Sequence, residues 1–208
     1  DIGTGASCIY PLLGVAMNQW TFIATDVDPV SLEWAKKNVS LNNWDDLIEL
    51  KHITDDTILA SLFPGISSEK NDAQKEFDFC MCNPPFFESV EQKKNNPRLT
   101  CLATASELST EGGEVSFVKK MIEESLIIRD RITWYTSLLG KKSSVKQLLQ
   151  ILQEKNISNR RSSTLYQGHT TRWIIAWSFS APSATIENDF ELRKKVIERL
   201  QGKKEHTI

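Results

Sequence analysis

Apolar positions along this chain fall into short strand-like runs separated by longer stretches with helical spacing. Residues 20–25 and 47–53 each read as a strand, the first ending at Asp26. Phe77-Asp78-Phe79-Cys80-Met81-Cys82 has the length and apolar character of a buried strand. Before the first strand, 8–18 reads as a short apolar helix that tolerates Pro11 only near its first turn. Asp28 followed by Pro29 signals a helix start, and Leu32, Ala35 and Val39 recur behind it at helical spacing. A weaker helix is expected over 57–62 and a polar loop over 66–76. A long polar segment, 88–113, leads to a helix over 114–128 with Phe117, Val118, Met121, Ile122 and Leu126 on one face. Residues 131–138 form a further strand. Ser143 or Ser144 is expected to cap a helix carrying Val145, Leu148, Leu149 and Leu152 at i, i+3, i+4, i+7. Strands over 163–166 and 171–179 close the pattern as a hairpin around Gly168.

Strands separated by helices predict an α/β fold, with a mostly parallel sheet covered on both faces and a closing antiparallel hairpin. One domain over 1–180 accounts for the pattern, and 181–208 reads as a linker with a charged helix or tail. Asp1 to Ser7 reads as a loop leaving a strand, so a first strand is expected upstream of Asp1. Ligands of such sheets sit outside the carboxyl ends of the strands, at a switch point. Three segments converge on that edge: the loop of Gly3 and Gly5, Asp26, and Asn83.

Composition narrows the class. With 208 residues, 40% hydrophobic and 25% charged, and a formal net charge of -2, the chain suits a single globular domain and not a surface that coats nucleic acid broadly. No run of apolar residues is long enough to span a membrane, and no signal peptide is visible. Cys8, Cys80, Cys82 and Cys101 read as free thiols. The Cys80-x-Cys82 spacing does not suit zinc, and no metal site is expected.

The chemistry concentrates at the strand ends. Asn83-Pro84-Pro85-Phe86 follows the buried strand directly. The two prolines end regular structure by removing backbone donors and fixing φ. Asn83 offers an amide oxygen to an N–H2 group, Pro84 a carbonyl in a rigid turn, and Phe86 a flat surface. Those parts suit a planar ring bearing an amine. Asn-Pro alone is an ordinary turn, and Gly3-x-Gly5 alone is a tight one. A dinucleotide fingerprint wants a third glycine where this chain has Cys8, which weakens the case for a pyrophosphate. Asp26 stands where an acidic residue hydrogen-bonds ribose hydroxyls. A nucleoside ligand without a pyrophosphate fits both observations, and S-adenosylmethionine is such a ligand.

With Asp1-Ile2-Gly3-Thr4-Gly5 and Asn83-Pro84-Pro85-Phe86 together, the chain resembles amino-methyltransferases that use S-adenosylmethionine on a Rossmann-like sheet. Longer strings are similar to the methyltransferase-like protein sixteen family of RNA adenine-N6 methyltransferases. They are Asp1 to Gly14, Ala35-Lys36-Lys37-Asn38-Val39, Phe79 to Phe87, Gly112-Gly113-Glu114, Phe117-Val118-Lys119, Leu139-Gly140-Lys141-Lys142, Thr171-Arg172-Trp173 and Ala176-Trp177-Ser178-Phe179. Bacterial ribosomal-RNA adenine-N6 methyltransferases are more distant relatives. The resemblance implies a class I methyltransferase fold. It implies methylation of adenine N6 in U6 small nuclear RNA and messenger-RNA hairpins, in the nucleus and secondarily the cytoplasm, by a monomer. It also implies an RNA-binding helical module upstream of this chain, and it departs from this sequence at 88–113, which lacks Pro- and Arg-rich character.

The expected site follows from both readings. Asn83, Pro84, Pro85 and Phe86 form the catalytic turn. Asp1, Gly3, Thr4, Gly5, Ser7, Asp26, Thr57 and Asn83 hold the cofactor. Phe86 and Phe87 stack the base, while Lys141, Lys142 and Arg172 meet RNA phosphates. Segment 88–113 is expected to act as a flap over the adenine, hinged at Gly112 and Gly113. Two other readings stay open: transfer to another planar amine (protein glutamine, DNA adenine or guanine N2), and a catalytically silent RNA-binding module.

Overall fold

The structure is a computed structural model and describes residues 1–63, 77–84, 112–168 and 170–181. Pro85, Phe86, Phe87, the loop expected over 66–76, most of segment 88–113 and the tail after 181 lie outside these residues. Among the described residues the strands are β1 (Phe22–Asp26), β2 (Ile48–His52), β3 (Phe77–Cys80), β4 (Ile132–Leu139), β5 (Asn159–Gln167) and β6 (Thr170–Ser178). The helices are α1 (Ile9–Asn18), α2 (Pro29–Leu41), α3 (Gly113–Ile128) and α4 (Lys142–Glu154).

β1 pairs with β2 in parallel, and β3 with β4 in parallel. β6 runs antiparallel between β4 and β5 as the expected closing hairpin, turning at Gly168 with φ +57°. Ile2 joins the two halves, bridging Thr25 on one side and Cys82 on the other, both in parallel. The order across the sheet is therefore β2-β1-Ile2-β3-β4-β6-β5. From Ile2 the chain winds outward to β1 and β2, then crosses to β3 on the other side. That reversal places a switch point between Ile2 and β3.

Two apolar clusters cover the sheet. Cys8, Val15, Ala24, Ala35, Val39 and Ile48 pack α1 and α2 on β1 and β2. Val118, Met121, Ile122, Leu148, Leu152, Tyr135 and Trp177 join α3 and α4 to β4 and β6. The Tyr135 and Trp177 rings stack at 5.5 Å, and each polar tip finds a partner. Tyr135 Oη donates to the Arg129 carbonyl at 2.6 Å, and Trp177 Nε1 donates to Ser125 Oγ at 3.0 Å.

Three local expectations are corrected. Residues 57–62 form only the 3-10 turn Ala60–Leu62, because Asp55 Oδ1 accepts from Thr57 N (3.2 Å) and Thr57 Oγ1 (2.6 Å). Such a side-chain turn competes with helix initiation. α4 starts at Lys142, with Lys141 at the N-cap and neither Ser143 nor Ser144 capping it. The amides ahead of that helix are taken instead by Glu114 of α3, whose carboxylate accepts from Gly140 N (2.6 Å) and Lys141 N (3.1 Å). β5 begins at Asn159, earlier than its apolar pattern suggests, because an edge strand flanked on one side only can carry Arg160, Arg161 and Ser162 without burying them. The capping of α2 is as expected: Asp28 accepts from Val30 N and Ser31 N, both at 3.2 Å, with Pro29 in the first turn.

Candidate active site

Residues at the carboxyl edge of the sheet are brought together by register. Asp26 ends β1 beside Ile53, whose N–H donates to the Asp26 carbonyl at 2.9 Å. Gly3 follows Ile2, and Asn83 follows Cys82, on the two sides of the switch point. Leu138 N donates to the Cys82 carbonyl at 2.8 Å, and Leu139 pairs with Trp173. Gly140, Lys141 and Arg172 are thereby placed on the same edge as Asn83.

The glycine loop is built from three directions. Gly3 and Gly5 have φ of +68° and +62°, a left-handed conformation costly for other residues. A Cβ at Gly3 would meet nothing within 4 Å among the described residues, which leaves the space over the loop open to a ligand. Asp26 is buried, and its Oδ2 accepts from Gly5 N at 2.8 Å while Oδ1 accepts from Asp28 N at 2.9 Å. Each oxygen keeps a further lone pair, so the carboxylate can clamp the loop and still accept from ribose hydroxyls. Thr4 donates through its backbone to Thr25 O at 2.9 Å and through its hydroxyl to Cys8 Sγ at 3.3 Å. Ser7 is exposed on the outer limb of the loop. Cys8, at the position of the missing third glycine, is fully buried with φ 51°.

Asn38 is a site-supporting residue that functional reading of the sequence passes over. Its Nδ2 reaches from α2 to the carbonyls of Ala6 (3.1 Å) and Ser7 (3.4 Å), fixing the limb of the loop that leads into α1. The only signal was its place inside the string 35–39.

Three acceptor atoms stand out electrostatically. Asn83 Oδ1 and both carboxylate oxygens of Asp1 are buried with no hydrogen-bond partner among the described residues. Burying such groups unpaired is costly, so the arrangement suits a ligand that brings donors and positive charge. S-adenosylmethionine, with an ammonium, a sulfonium and ribose hydroxyls, matches that donor demand around Asp1, Asp26 and Asn83. Pro84 is buried next to Asn83. Thr57 is half-buried in the loop that follows β2, one loop away from Asp26.

Other groups are chemically quiet. Burial pushes the Cys80 thiol up to about 12 and raises Cys82 as well, so neither supplies a thiolate at neutral pH. No group of three or more metal-ligating side chains occurs among the described residues. Lys141 and Lys142 are exposed at the start of α4, and Arg172 is half-buried on β6. A cleft of about 790 Å³ lined by Trp20, Phe22, Phe77 and Phe79 lies toward the opposite end of the strands. Of the candidate residues it touches only Asp1, so the chemistry belongs to the carboxyl edge. Among the described residues no helix is long and apolar enough to cross a membrane.

Comparison with known proteins agrees with this geometry. A family described as RNA methyltransferase matches residues 1–181. Human RNA N(6)-adenosine-methyltransferase METTL16 is 42% identical over 188 residues, covering 86% of this chain and 32% of that protein. The U6 small nuclear RNA (adenine-(43)-N(6))-methyltransferase of Schizosaccharomyces pombe is 44% identical over 185 residues, covering 87% of this chain and 46% of its own length. The chain thus spans about a third of the first of these curated relatives and just under half of the second. The human METTL16 catalytic domain solved with a MAT2A 3′UTR hairpin superposes with a TM-score of 0.74 at 40% identity, covering 88% of this chain and 64% of that one. The N-terminal domain of human METTL16 solved with S-adenosylhomocysteine (SAH) gives 0.68 at 40% identity, covering 87% and 60%.

Proposed function

The chain belongs to a family of RNA methyltransferases, and from that premise we propose that it methylates the exocyclic N6 amine of adenine in structured RNA using S-adenosylmethionine. The observation that carries this reading is the buried, unpartnered Asn83 Oδ1 at the switch point, beside the open glycine loop. Asp1, Gly3, Thr4, Gly5, Ser7, Asp26, Thr57 and Asn83 are the residues to which we assign the cofactor. When bound, it supplies an electrophilic methyl group on a sulfonium.

The amine of adenine is a poor nucleophile because its lone pair is delocalised into the ring. Asn83 Oδ1 accepts one of its N–H bonds and the Pro84 carbonyl accepts the other. With both hydrogens held, the nitrogen is drawn toward a tetrahedral geometry and its lone pair is aimed at the methyl group. As positive charge develops on nitrogen, the same two acceptors stabilise it, so no strong base is required beforehand. From the sequence we assign stacking of the base to Phe86 and Phe87, which follow Pro85 in the catalytic turn, and phosphate contacts to Lys141, Lys142 and Arg172 along the same edge.

The U6 small nuclear RNA methyltransferase among the relatives and the METTL16 complex with a MAT2A 3′UTR hairpin support U6 small nuclear RNA and messenger-RNA hairpins as the substrate class, and with U6 a nuclear place of action. We assign catalysis to 1–180 and treat 181–208 as a tail. Incubating the protein with S-adenosylmethionine and a panel of structured RNAs, then mapping N6-methyladenine by nucleotide, tests the reading. Methylation of one defined adenine in a hairpin is expected. Transfer to protein glutamine or DNA with none to any RNA overturns it.

A further inference from the structure

Glu124 lies on the buried side of α3, 8% exposed, and takes no part in the chemistry described above. Its carboxylate receives the backbone N–H groups of three consecutive residues across a separation of more than sixty positions. Ile58 N donates at 2.9 and 3.0 Å to its two oxygens, Leu59 N at 2.6 Å and Ala60 N at 3.0 Å. These amides precede and open the short 3-10 turn Ala60–Leu62, so no strand or long helix supplies them with acceptors. A carboxylate accepting several backbone donors is a strong, charge-assisted anchor.

The anchored residues continue directly from Thr57, which is held from the other side by Asp55. The same loop is fastened at two more points: Lys120 of α3 pairs with Asp56, and Ile53 N donates to the Asp26 carbonyl. Segment 53–60 is thus strung between the carboxyl end of β1 and α3, with Glu124 holding its far end. We propose that Glu124 is a positioning residue for the cofactor. By seizing the amides of 58–60 it fixes Thr57 at the nucleoside side of the site, and cofactor affinity depends on this buried carboxylate although it does not itself touch the ligand. The inference rests on the methyltransferase reading and on the assignment of Thr57.

Glu124→Gln tests it, because the side chain keeps its shape and one carbonyl oxygen but turns an N–H2 group toward backbone donors. The expected result is at least a tenfold rise in the Kd for S-adenosylmethionine and for S-adenosylhomocysteine by calorimetry. The KM for S-adenosylmethionine should rise in parallel, while kcat at saturating cofactor stays within twofold of wild type. Glu124→Asp, which restores the carboxylate, should recover part of the lost affinity. Glu123→Gln, on the exposed side of the same helix, should change neither. A lowered melting temperature with cofactor affinity within twofold of wild type would show Glu124 to be structural only and overturns the inference. If Glu124→Gln yields too little folded protein, hydrogen exchange of the wild-type protein decides instead. Amides of 57–60 should gain protection on addition of S-adenosylhomocysteine, and unchanged protection overturns the inference. Wild-type protein that binds no cofactor refutes the methyltransferase reading itself. Normal binding by the wild type with no loss in Thr57→Val refutes only the Thr57 assignment and, with it, the role of Glu124.

Discussion

Asn83 and Asp28 show how similar side chains are put to opposite uses. Asp28 spends its carboxylate locally, on the Ser31 hydroxyl and the first amides of α2, and the Ser31 hydrogen bond leads in holding it below the usual carboxylate range. Asn83 leaves its amide oxygen buried and unpaired at the rim of the sheet. Removing this acceptor breaks no hydrogen bond among the described residues, so Asn83→Ala should leave the unfolding midpoint unchanged or slightly raised. Its cost should appear in transfer. The single-turnover methylation rate is expected to fall by roughly 10²–10³, the usual loss for a donor or acceptor that acts on developing charge. Cofactor affinity should fall only a few-fold, since the main partner is the target amine. Near-normal turnover of this variant would show that the amine is oriented by other groups.

At the scale of elements, the site depends on how closely α1 is pressed onto β1. Gly14 of α1 faces the Phe22 ring, and a Cβ at Gly14 would overlap its Cε2 and Cζ atoms. Phe22 packs on Trp20 with ring centroids 6.4 Å apart, so it can turn toward the cleft that both line only by giving up part of that contact. Two effects oppose each other in Gly14→Ala. Helix propensity favours alanine by about 1 kcal/mol. Overpacking of a filled contact costs typically about 1–3 kcal/mol. The second should win, giving a net loss of about 1 kcal/mol in urea unfolding and weaker cofactor binding as the glycine loop ahead of α1 shifts. Unfolding at or above the wild-type midpoint would mean that Phe22 moves aside freely. The helix register also explains why Glu114 and Glu124 of α3 face loops from different strands: one carboxylate grips Gly140 and Lys141, the other Ile58 to Ala60. α3 thereby ties the loop after β2 to the start of α4.

For the whole molecule, the buried hydroxyl and thiols predict how stability responds to base. Burial raises Cys80 to about 12, and it raises Cys82 and Tyr135 as well. In each case the folded state favours the protonated form more than the unfolded chain does. The stabilisation is therefore fully present below the unfolded thiol value near 9 and is lost as pH rises from there toward 12. Urea midpoints should be level between pH 7 and about 8.5 and then fall continuously, with Cys80 and Cys82 resisting alkylation until unfolding begins. A midpoint unchanged up to pH 11 would contradict the burial of these groups.

Much of this architecture is written in short-range pattern. The helical spacing of Leu32, Ala35 and Val39, the Asp28-Pro29 start of α2, and the continuous apolar run of β3 are each decided by a few neighbouring residues, so the α/β fold was legible from the chain. So were Gly3, Gly5, Asp26 and Asn83, because strand ends of a parallel sheet must converge on one edge. Ser143 and Ser144 misled because a cap can be replaced by a carboxylate from elsewhere, and Glu114 lies almost thirty positions away. The start of β5 was hidden for a related reason: an edge strand needs no apolar alternation where one flank meets solvent. Glu124 and Asn38 read as ordinary helical surface residues, since nothing near them in sequence shows that their partners are backbone groups of distant loops. Local propensity and periodicity set the elements and the residue types at the strand ends. Only the tertiary structure, by bringing donors and acceptors from separate elements into one buried volume, decided which polar groups are satisfied as scaffold and which remain for a ligand.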